Sequence, residues 1–333
     1  MNTPLLHQRF PHLRETLPHI GLSSGPTPVR RLDALPTGGA PVWLKDDCAF
    51  GDGGWGGNKV RKLEWILPDA HRRGCRTILT VGGVGTNWGL AVALYGRDHG
   101  LGTVLALVDQ PVDEHVRAQL SRLENSGATL YFTRSKTRTI LTAPMLFARH
   151  TSGRHLPYYL PPGGSSPVGV LGYAEAALEL AGQVHRAELP EPTHIVTAVG
   201  SGGTIAGLQL GLRMAGLTTR AVGVVVNDTL RLDPATITRL ARRTTQLLRK
   251  RGADLSDLEP RVEDIDIVTD WLGSGYGHPT AEGERAQTLS ADREHLNLEP
   301  VYTAKAMAAL LAMNEQGRFG DGPVLYLNTN GPR

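Results

Sequence analysis

The sequence has little cysteine and almost no net charge. Only Cys48 and Cys75 occur in 333 residues, and they form no CxxC pair, which excludes a disulfide framework and a cysteine-based metal site. Lys+Arg 35 against Asp+Glu 32 leaves a formal charge of +3, which excludes a strongly basic nucleic-acid binder on charge alone. The 12 histidines are scattered and form no metal-ligand tract, so we expect no metal.

Long apolar runs are also absent. No stretch approaches the roughly 18 apolar residues that span a bilayer, and the first 20 residues lack a charged start followed by an apolar run, so we expect neither a membrane span nor a secretory signal. Free thiols and this pattern favour a cytoplasmic protein. Hydrophobic residues make up 40% of the chain, which favours a globular protein, and its length favours two domains.

Short β-rich runs alternate with helical patterns, which is typical of βαβ units and a mainly parallel sheet. We therefore predict an α/β fold of two domains, with mainly parallel sheets flanked by helices. The predicted strands cover 42–45, 77–81, 103–108, 129–132, 194–199, 221–226, 265–269 and 324–328. The predicted helices cover 58–73, 87–98, 113–125, 166–180, a segment ending at 214, 234–251 (capped by Asp233), 279–291 and 302–314.

Three glycine-rich loops each join a predicted strand to a predicted helix. In Gly200-Ser201-Gly202-Gly203-Thr204, backbone N–H groups at a helix start favour an anionic phosphate. A turn that only permits close packing is the alternative, and the loop matches neither a Walker A loop nor GxGxxG. In the loop 81–87, Thr86 and Asn87 could hold a carboxylate. Loops at parallel-strand ends share one edge of a sheet, so they predict a single anion-binding crevice.

A lysine closes the glycine-rich stretch 51–59. Lys59 lies in the first turn of a predicted helix, where the helix dipole disfavours a positive charge and helps to lower the lysine pKa. A lowered pKa suits Schiff-base formation or proton transfer. An ordinary exposed lysine is the alternative.

The segment Gly56-Gly57-Asn58-Lys59-Val60-Arg61-Lys62-Leu63-Glu64 is similar to the GGNKxRKLE signature of fold type II pyridoxal-phosphate enzymes. The chain resembles their D-cysteine desulfhydrase and 1-aminocyclopropane-1-carboxylate (ACC) deaminase branch almost from end to end. The further matching motifs are Arg9-Phe10-Pro11, Lys45-Asp46-Asp47, Gly163-Gly164-Ser165-Ser166, Gly169, Gly172-Tyr173, Gly275-Tyr276-Gly277 and Pro300-Val301-Tyr302-Thr303-Ala304-Lys305.

The resemblance implies a role for each matched position. Lys59 would bind pyridoxal phosphate covalently and then act as the base on the substrate α-carbon, assisted by Tyr276 and Tyr302. The other implied cofactor contacts are Lys62, Asn87, Gly200, Ser201, Gly202, Gly203, Thr204, Thr303 and Thr329. The implied substrate contacts are Thr86, Asn87, Trp88, Ser165, Tyr276 and Tyr302. The resemblance also implies a homodimer, with a large domain of residues 1–62 and 161–333 and an inserted small domain of residues 63–160.

Two threonines distinguish the branches. The deaminases carry Glu after the second tyrosine and Leu in the last motif, whereas this chain has Thr303 and Thr329, as the desulfhydrases do. A neutral hydroxyl leaves the pyridine nitrogen largely unprotonated and weakens electron withdrawal, which favours prompt β-elimination. We therefore expect a lyase that eliminates a β-substituent such as a thiol from an amino acid, giving a 2-oxo acid and ammonia.

Several departures from the family pattern fall around the expected substrate. Trp88 replaces the usual histidine, Thr86 the usual serine, Asn330 a glycine and His278 an apolar residue, and extra glycines with Trp55 precede the lysine motif. They predict a retained cofactor with an altered substrate, either a larger S-substituted cysteine or a D-amino acid other than cysteine. The alternatives are ACC deamination and a catalytically silent binding protein on the same scaffold.

Overall fold

The chain folds around two separate β-sheets. The computed structural model describes residues 3–36, 38–52 and 57–331. Strands are β1 (Val29–Arg31), β2 (Val42–Asp46), β3 (Thr77–Gly83), β4 (Gly102–Val108), β5 (Thr129–Arg134), β6 (Tyr158–Leu160), β7 (His194–Val199), β8 (Arg220–Val225), β9 (Ile265–Val268) and β10 (Val324–Asn328). Helices are α1 (Leu5–Arg9), α2 (Leu13–Thr16), α3 (Asn58–Arg72), α4 (Asn87–Asp98), α5 (Glu114–Glu124), α6 (Lys136–His150), α7 (Pro167–His185), α8 (Gly203–Ala215), α9 (Pro234–Lys250), α10 (Ala281–Glu294) and α11 (Thr303–Glu315).

The larger sheet has six strands in the order β1-β2-β10-β7-β8-β9. All neighbours pair in parallel except β1 and β2. The chain runs from β7 through β8 to β9 in one direction, whereas β10 lies on the other side of β7. Connections therefore leave β7 and β10 on opposite faces, which opens a crevice at their carboxyl ends.

The smaller sheet repeats this arrangement with four parallel strands in the order β5-β4-β3-β6. The chain runs from β3 to β4 to β5 and then returns to β6, on the far side of β3. A second crevice thus opens at the carboxyl ends of β3 and β6. The two crevices are the sites where side chains on loops can converge.

Close helix packing joins the two sheets through the core. Helices α7 and α8 cross at a surface where glycine is required: a Cβ at Gly207 would lie 2.4 Å from the Cβ of Tyr173, and one at Gly211 would lie 2.5 Å from the carbonyl oxygen of Ala174. The fully buried Trp65 on α3 belongs to the cluster that also includes α1, α4 and α7 residues. Several elements therefore pack against helix α3 and hold it in place. Its first turn faces the cleft formed by loops at the strand ends.

Most predicted strands and helices are confirmed, with shifts of a few residues at their ends. Pro68 lies inside α3 without ending it, and α7 continues to His185 instead of ending at 180. Helix α6 was missed, because it buries only Thr139 and Leu146 and so lacks an apolar periodicity. The segment 157–166 contains β6, for which no strand was predicted.

Two further observations concern membrane-spanning helices and the two cysteines. Within the described part of the chain, no helix combines the length and apolar character needed to cross a membrane. Cys48 and Cys75 are both free and partly buried. Residues 53–56, which include Trp55 and several of the extra glycines before the lysine motif, lie outside the described residues.

Candidate active site

Loops from both sheets line one cleft of about 200 Å³. The loops that follow β3, β6, β7 and β10 all line it. These are the four strands that flank the two crevices, so the cleft combines the topological switch points of both sheets. The single anion-binding crevice predicted from the glycine-rich loops corresponds to this cleft.

Lys59 enters the cleft from the first turn of α3. The preceding Gly57 has φ +94°, and a Cβ there would lie 2.4 Å from the carbonyl oxygen of Asn330. Position 57 therefore requires glycine for two reasons. The backbone conformation disfavours other residues, and the C-terminal segment packs too close to leave room for a Cβ. The Lys59 Nζ donates to Asn58 Oδ1 at 2.7 Å. The C-terminal motif thus packs against the turn that presents the lysine.

Two buried amines share this end of the cleft. Burial lowers the pKa of Lys59 to about 8, although the negative charge of Glu299 raises it. Burial and the positive charge of Lys59 lower the pKa of Lys62 to about 7. Lys62 Nζ donates to the carbonyl oxygen of Gly163 at 2.8 Å. Two buried amines in one space favour an anion beside them, because an anion would offset the cost of holding their protons away from water.

The start of α8 forms a compact polar cradle beside Lys62. Gly202 caps the helix with φ +83°, and the Gly203 N–H donates to Ser165 Oγ at 3.0 Å. Ser165 Oγ in turn donates to Ser201 Oγ at 2.9 Å. A Cβ at Gly203 would lie 2.7 Å from Ser165 Oγ and 2.9 Å from Lys62 Nζ. The structure therefore brings the predicted phosphate loop together, and it places Ser165 in this cradle, although it was predicted as a substrate contact.

The loop after β3 places all three of its predicted substrate contacts along the cleft. Thr86 caps α4, with its Oγ1 accepting from the Gly89 N–H at 3.1 Å. Asn87 Oδ1 accepts from Gln119 Nε2, which orients the Asn87 side chain and leaves its Nδ2 as the donor. The side chain of Trp88 lines the cleft but is almost completely buried, since only 3% of the residue is exposed.

The indole ring of Trp88 packs into the hydrophobic core. Its Nε1 donates to Thr80 Oγ1 at 2.9 Å, and a Cβ at Gly164 would lie 2.4 Å from the ring. The bulk of the ring is accommodated because residue 164 has no side chain. Trp88 thus supports the wall of the cleft, and its polar N–H is used in the bond to Thr80.

The two predicted catalytic tyrosines meet across the cleft. Tyr302 Oη donates to Tyr276 Oη at 2.8 Å, with the rings nearly perpendicular at 82°. Burial raises the pKa of both hydroxyls, and the hydrogen bond from Tyr302 partly offsets this at Tyr276. Two neutral hydroxyls in contact can pass a proton between them. His278, by contrast, follows this loop on the exposed surface.

The two threonines that distinguish the branches both line the cleft. Thr303 is fully buried, and its Oγ1 accepts from the Glu299 N–H at 2.6 Å and donates to the Glu299 carbonyl oxygen at 3.4 Å. Its hydroxyl therefore joins the start of α11 to the backbone of Glu299. Thr329 directly follows β10. Both positions supply neutral hydroxyls, and neither brings a charged group to the cleft.

Other polar residues of the cleft were missed by the sequence reasoning. Asn227 follows β8, and its Nδ2 donates to the Gly200 carbonyl oxygen at 2.8 Å, which fixes the phosphate loop. Gln110, Asp113 and His115 follow β4 and line the small-sheet side. All lie just beyond strand ends, so the strand-end rule that identified the glycine loops could have found them. Glu299 precedes α11 and carried no such signal.

A buried charge cluster anchors α3 from behind. Arg61 pairs with Asp47 through two contacts of 2.9 Å and with Glu179 Oε2 at 3.0 Å. Lys45 Nζ contacts the other oxygen of Glu179 at 2.5 Å. Tyr173 donates its hydroxyl to Asp47 at 2.9 Å. Two cations and two carboxylates balance one another, so the cluster fixes the helix that carries Lys59 without leaving a net buried charge.

Comparison with known proteins matches this arrangement to one family. The family model described as "Pyridoxal-phosphate dependent enzyme" matches residues 20–330. The chain belongs to the pyridoxal-phosphate dependent enzyme family. It is similar to a D-cysteine desulfhydrase of Klebsiella pneumoniae strain 342, at 34% identity over 322 residues, covering 94% of both chains.

Two further relatives cover nearly the whole chain. A Pyrococcus abyssi protein provisionally named 1-aminocyclopropane-1-carboxylate deaminase is 33% identical over 327 residues, covering 98% of this chain and 95% of the relative. A solved structure described as an ACC deaminase homologue superposes with TM-score 0.80 and 28% identity, covering 99% of this chain and 95% of the other. The fold is thus that of fold type II pyridoxal-phosphate enzymes, as the resemblance implied.

The residues of the cleft fit pyridoxal phosphate. The buried amine of Lys59 suits its aldehyde. The start of α8, the hydroxyls of Ser201 and Thr204, and Lys62 suit its phosphate dianion. The two buried amines and the tightly packed Gly203 support this fit independently of the family match.

Proposed function

We propose that this pyridoxal-phosphate enzyme is a lyase that eliminates the β-substituent of an amino acid, as a D-cysteine desulfhydrase does. The observation that carries the proposal is the juxtaposition of a lysine amine with a pKa of about 8 and a tyrosine pair in one cleft. When bound, the cofactor supplies an electron sink for the substrate α-carbon. Loss of the α-proton and the β-substituent, with uptake of water, gives a 2-oxo acid, ammonia and the released thiol.

Each group of the chain has a defined task in this reaction. The neutral amine of Lys59 accepts the α-proton, since its lowered pKa keeps much of it unprotonated near pH 8. Thr86 and Asn87, at the start of α4, hold the substrate carboxylate with N–H and side-chain donors. The hydroxyl of Tyr276 or Tyr302 delivers a proton to the departing sulfur, and their mutual hydrogen bond orients it.

The neutral hydroxyls of Thr303 and Thr329, which line the cleft, support prompt β-elimination over slower reactions of a carbanion. Thr303 and Thr329 stand where the deaminases carry Glu and Leu, and neither adds a charge beside the cofactor. ACC deamination is the second candidate, because the Pyrococcus abyssi relative and the structural neighbour carry that name. Thr303 in place of Glu is the observation against it.

A substrate panel tests the proposal. The holoenzyme is incubated with D- and L-cysteine, β-chloro-alanine of both configurations and S-substituted cysteines, and pyruvate is measured. Turnover of one or more β-substituted alanines is the expected result. ACC is included with detection of 2-oxobutanoate, and its selective turnover would establish the deaminase alternative. Absence of pyruvate from every β-substituted alanine would refute the elimination.

We further propose the organisation implied by the family. Residues 1–62 and 161–333 would form the large domain and residues 63–160 the small one, a division supported by the two separate sheets. A homodimer and a cytoplasmic location remain predictions. Light scattering on the purified protein tests the dimer, since a monomeric mass at micromolar concentration contradicts it.

A further inference from the structure

Each tyrosine of the catalytic pair is held by a carboxylate at its backbone. Asp228 Oδ1 accepts from the Tyr276 N–H at 3.1 Å, and Glu299 Oε2 accepts from the Tyr302 N–H at 2.5 Å. The two phenols then meet at 2.8 Å. Because the backbone sets where each side chain begins, the carboxylates define the separation of the pair.

Glu299 is also built into the start of α11. Its second oxygen, Oε1, accepts from the Val301 N–H at 3.0 Å, and its own N–H donates to Thr303 Oγ1 at 2.6 Å. These reciprocal contacts satisfy amide groups that a helix start leaves without partners. A negative charge is also favourable at that end of a helix. The carboxylate is 6% exposed, so its position is fixed.

The two carboxylates differ in what they face. Asp228 is exposed outside the tyrosine loop, whereas Glu299 lines the cleft with Lys59. Among the described residues of the cleft, Glu299 is the only buried carboxylate. The titratable groups that its charge reaches are Lys59, Tyr276, Tyr302, Lys305 and Tyr326.

We propose that Glu299 is a positioning residue for the elimination, anchoring Tyr302 against Tyr276 while directing a negative charge at Lys59. This deepens the proposed function and rests on it. Burial disfavours a proton on Lys59 and so weakens the amine as a base. The carboxylate opposes this effect, so that the amine can take and retain the α-proton.

Two matched amide substitutions separate charge from backbone contact. Glu299→Gln and Asp228→Asn each keep an oxygen that can accept from the tyrosine N–H, but only the first removes a charge facing Lys59. In the cofactor-free protein, the rate of Lys59 acetylation is followed against pH by peptide mass spectrometry. We expect Glu299→Gln to lower the midpoint by about one pH unit, and Asp228→Asn to leave it unchanged.

A third variant guards against loss of folding. Glu299→Asp retains the charge, so its midpoint should remain near that of the unmodified protein. An unchanged midpoint in Glu299→Gln, or an equal shift in Asp228→Asn, overturns the proposal. Because this titration requires no substrate, it can succeed or fail whatever the pyruvate panel shows. With an active substrate, Glu299→Gln should lower kcat about tenfold or more with little change in KM; an effect on KM alone overturns the positioning role.

Discussion

The buried charge cluster behind Lys59 makes a quantitative prediction about acid stability. Burial raises the pKa of Glu179, but the charges of Arg61 and Lys45 outweigh burial and lower it to about 2, from an ordinary value of 4.5. A carboxyl with a lowered pKa stabilises the folded protein fully above pH 4.5. That contribution is lost as the pH falls towards 2. The displacement corresponds to about 3 kcal/mol at neutral pH.

The substitution Glu179→Gln removes this contribution and leaves Lys45 without its carboxylate. We expect a loss of about 3 kcal/mol at pH 7, consistent with the cost of breaking a buried ion pair. The difference between the variant and the unmodified protein should then shrink as the pH falls below 4.5, because the Glu179 carboxyl of the unfolded chain gains a proton there while the native carboxylate stays ionised until about pH 2. Urea unfolding of the cofactor-free proteins, followed by circular dichroism at several pH values, measures both effects.

A matched surface pair provides the control. Glu282 and Arg285 form an exposed pair on α10 with a 3.2 Å contact, and solvent screens such pairs. Glu282→Gln should shift the urea midpoint far less than Glu179→Gln at neutral pH, because the pair is exposed. If Glu179→Gln has an equally small effect, or if its deficit grows on acidification, the reasoning about the cluster is wrong.

Three further substitutions test the cleft itself. Lys62→Gln should weaken cofactor binding about tenfold or more, measured by absorbance titration, because it removes the amine beside the phosphate cradle. Gly203→Ala should also weaken it, since the added Cβ has no room, whereas Gly25→Ala, with nothing within 4 Å, should bind normally. Trp88→Phe should lower stability by about 1 kcal/mol through loss of the 2.9 Å bond to Thr80, with pyruvate formation retained; a large selective loss of activity would show that the indole contacts substrate.

The sequence determined the class of fold and much of the chemistry. Alternating strand and helix patterns indicate parallel sheets because a parallel pair needs a crossover between its strands. Glycine-rich turns after three strands indicated one crevice because parallel strands end at the same edge of a sheet, and the cleft in fact combines loops from two sheets. The lysine motif resembled that of a cofactor family, and the family match confirmed it. These features are local, so neighbouring residues suffice to reveal them.

Local patterns did not reveal the contacts between distant segments. Trp88 was predicted as a substrate contact from its place in the matched motif; the structure adds that its ring lines the cleft, packs beside Gly164 and donates to Thr80. Ser165 joins the phosphate cradle because β6 returns beside β3 and brings it next to Gly203. Helix α6 escaped detection because it buries so few residues.

The electrostatics of the cleft depended most on tertiary structure. A lysine in a sequence carries no sign of its burial, and the charge that faces Lys59 comes from Glu299, 240 positions later in the chain. Side-chain identity fixes which groups can ionise. Folding alone decides which of them leave water and which opposite charges they meet, and these two factors set their proton affinity.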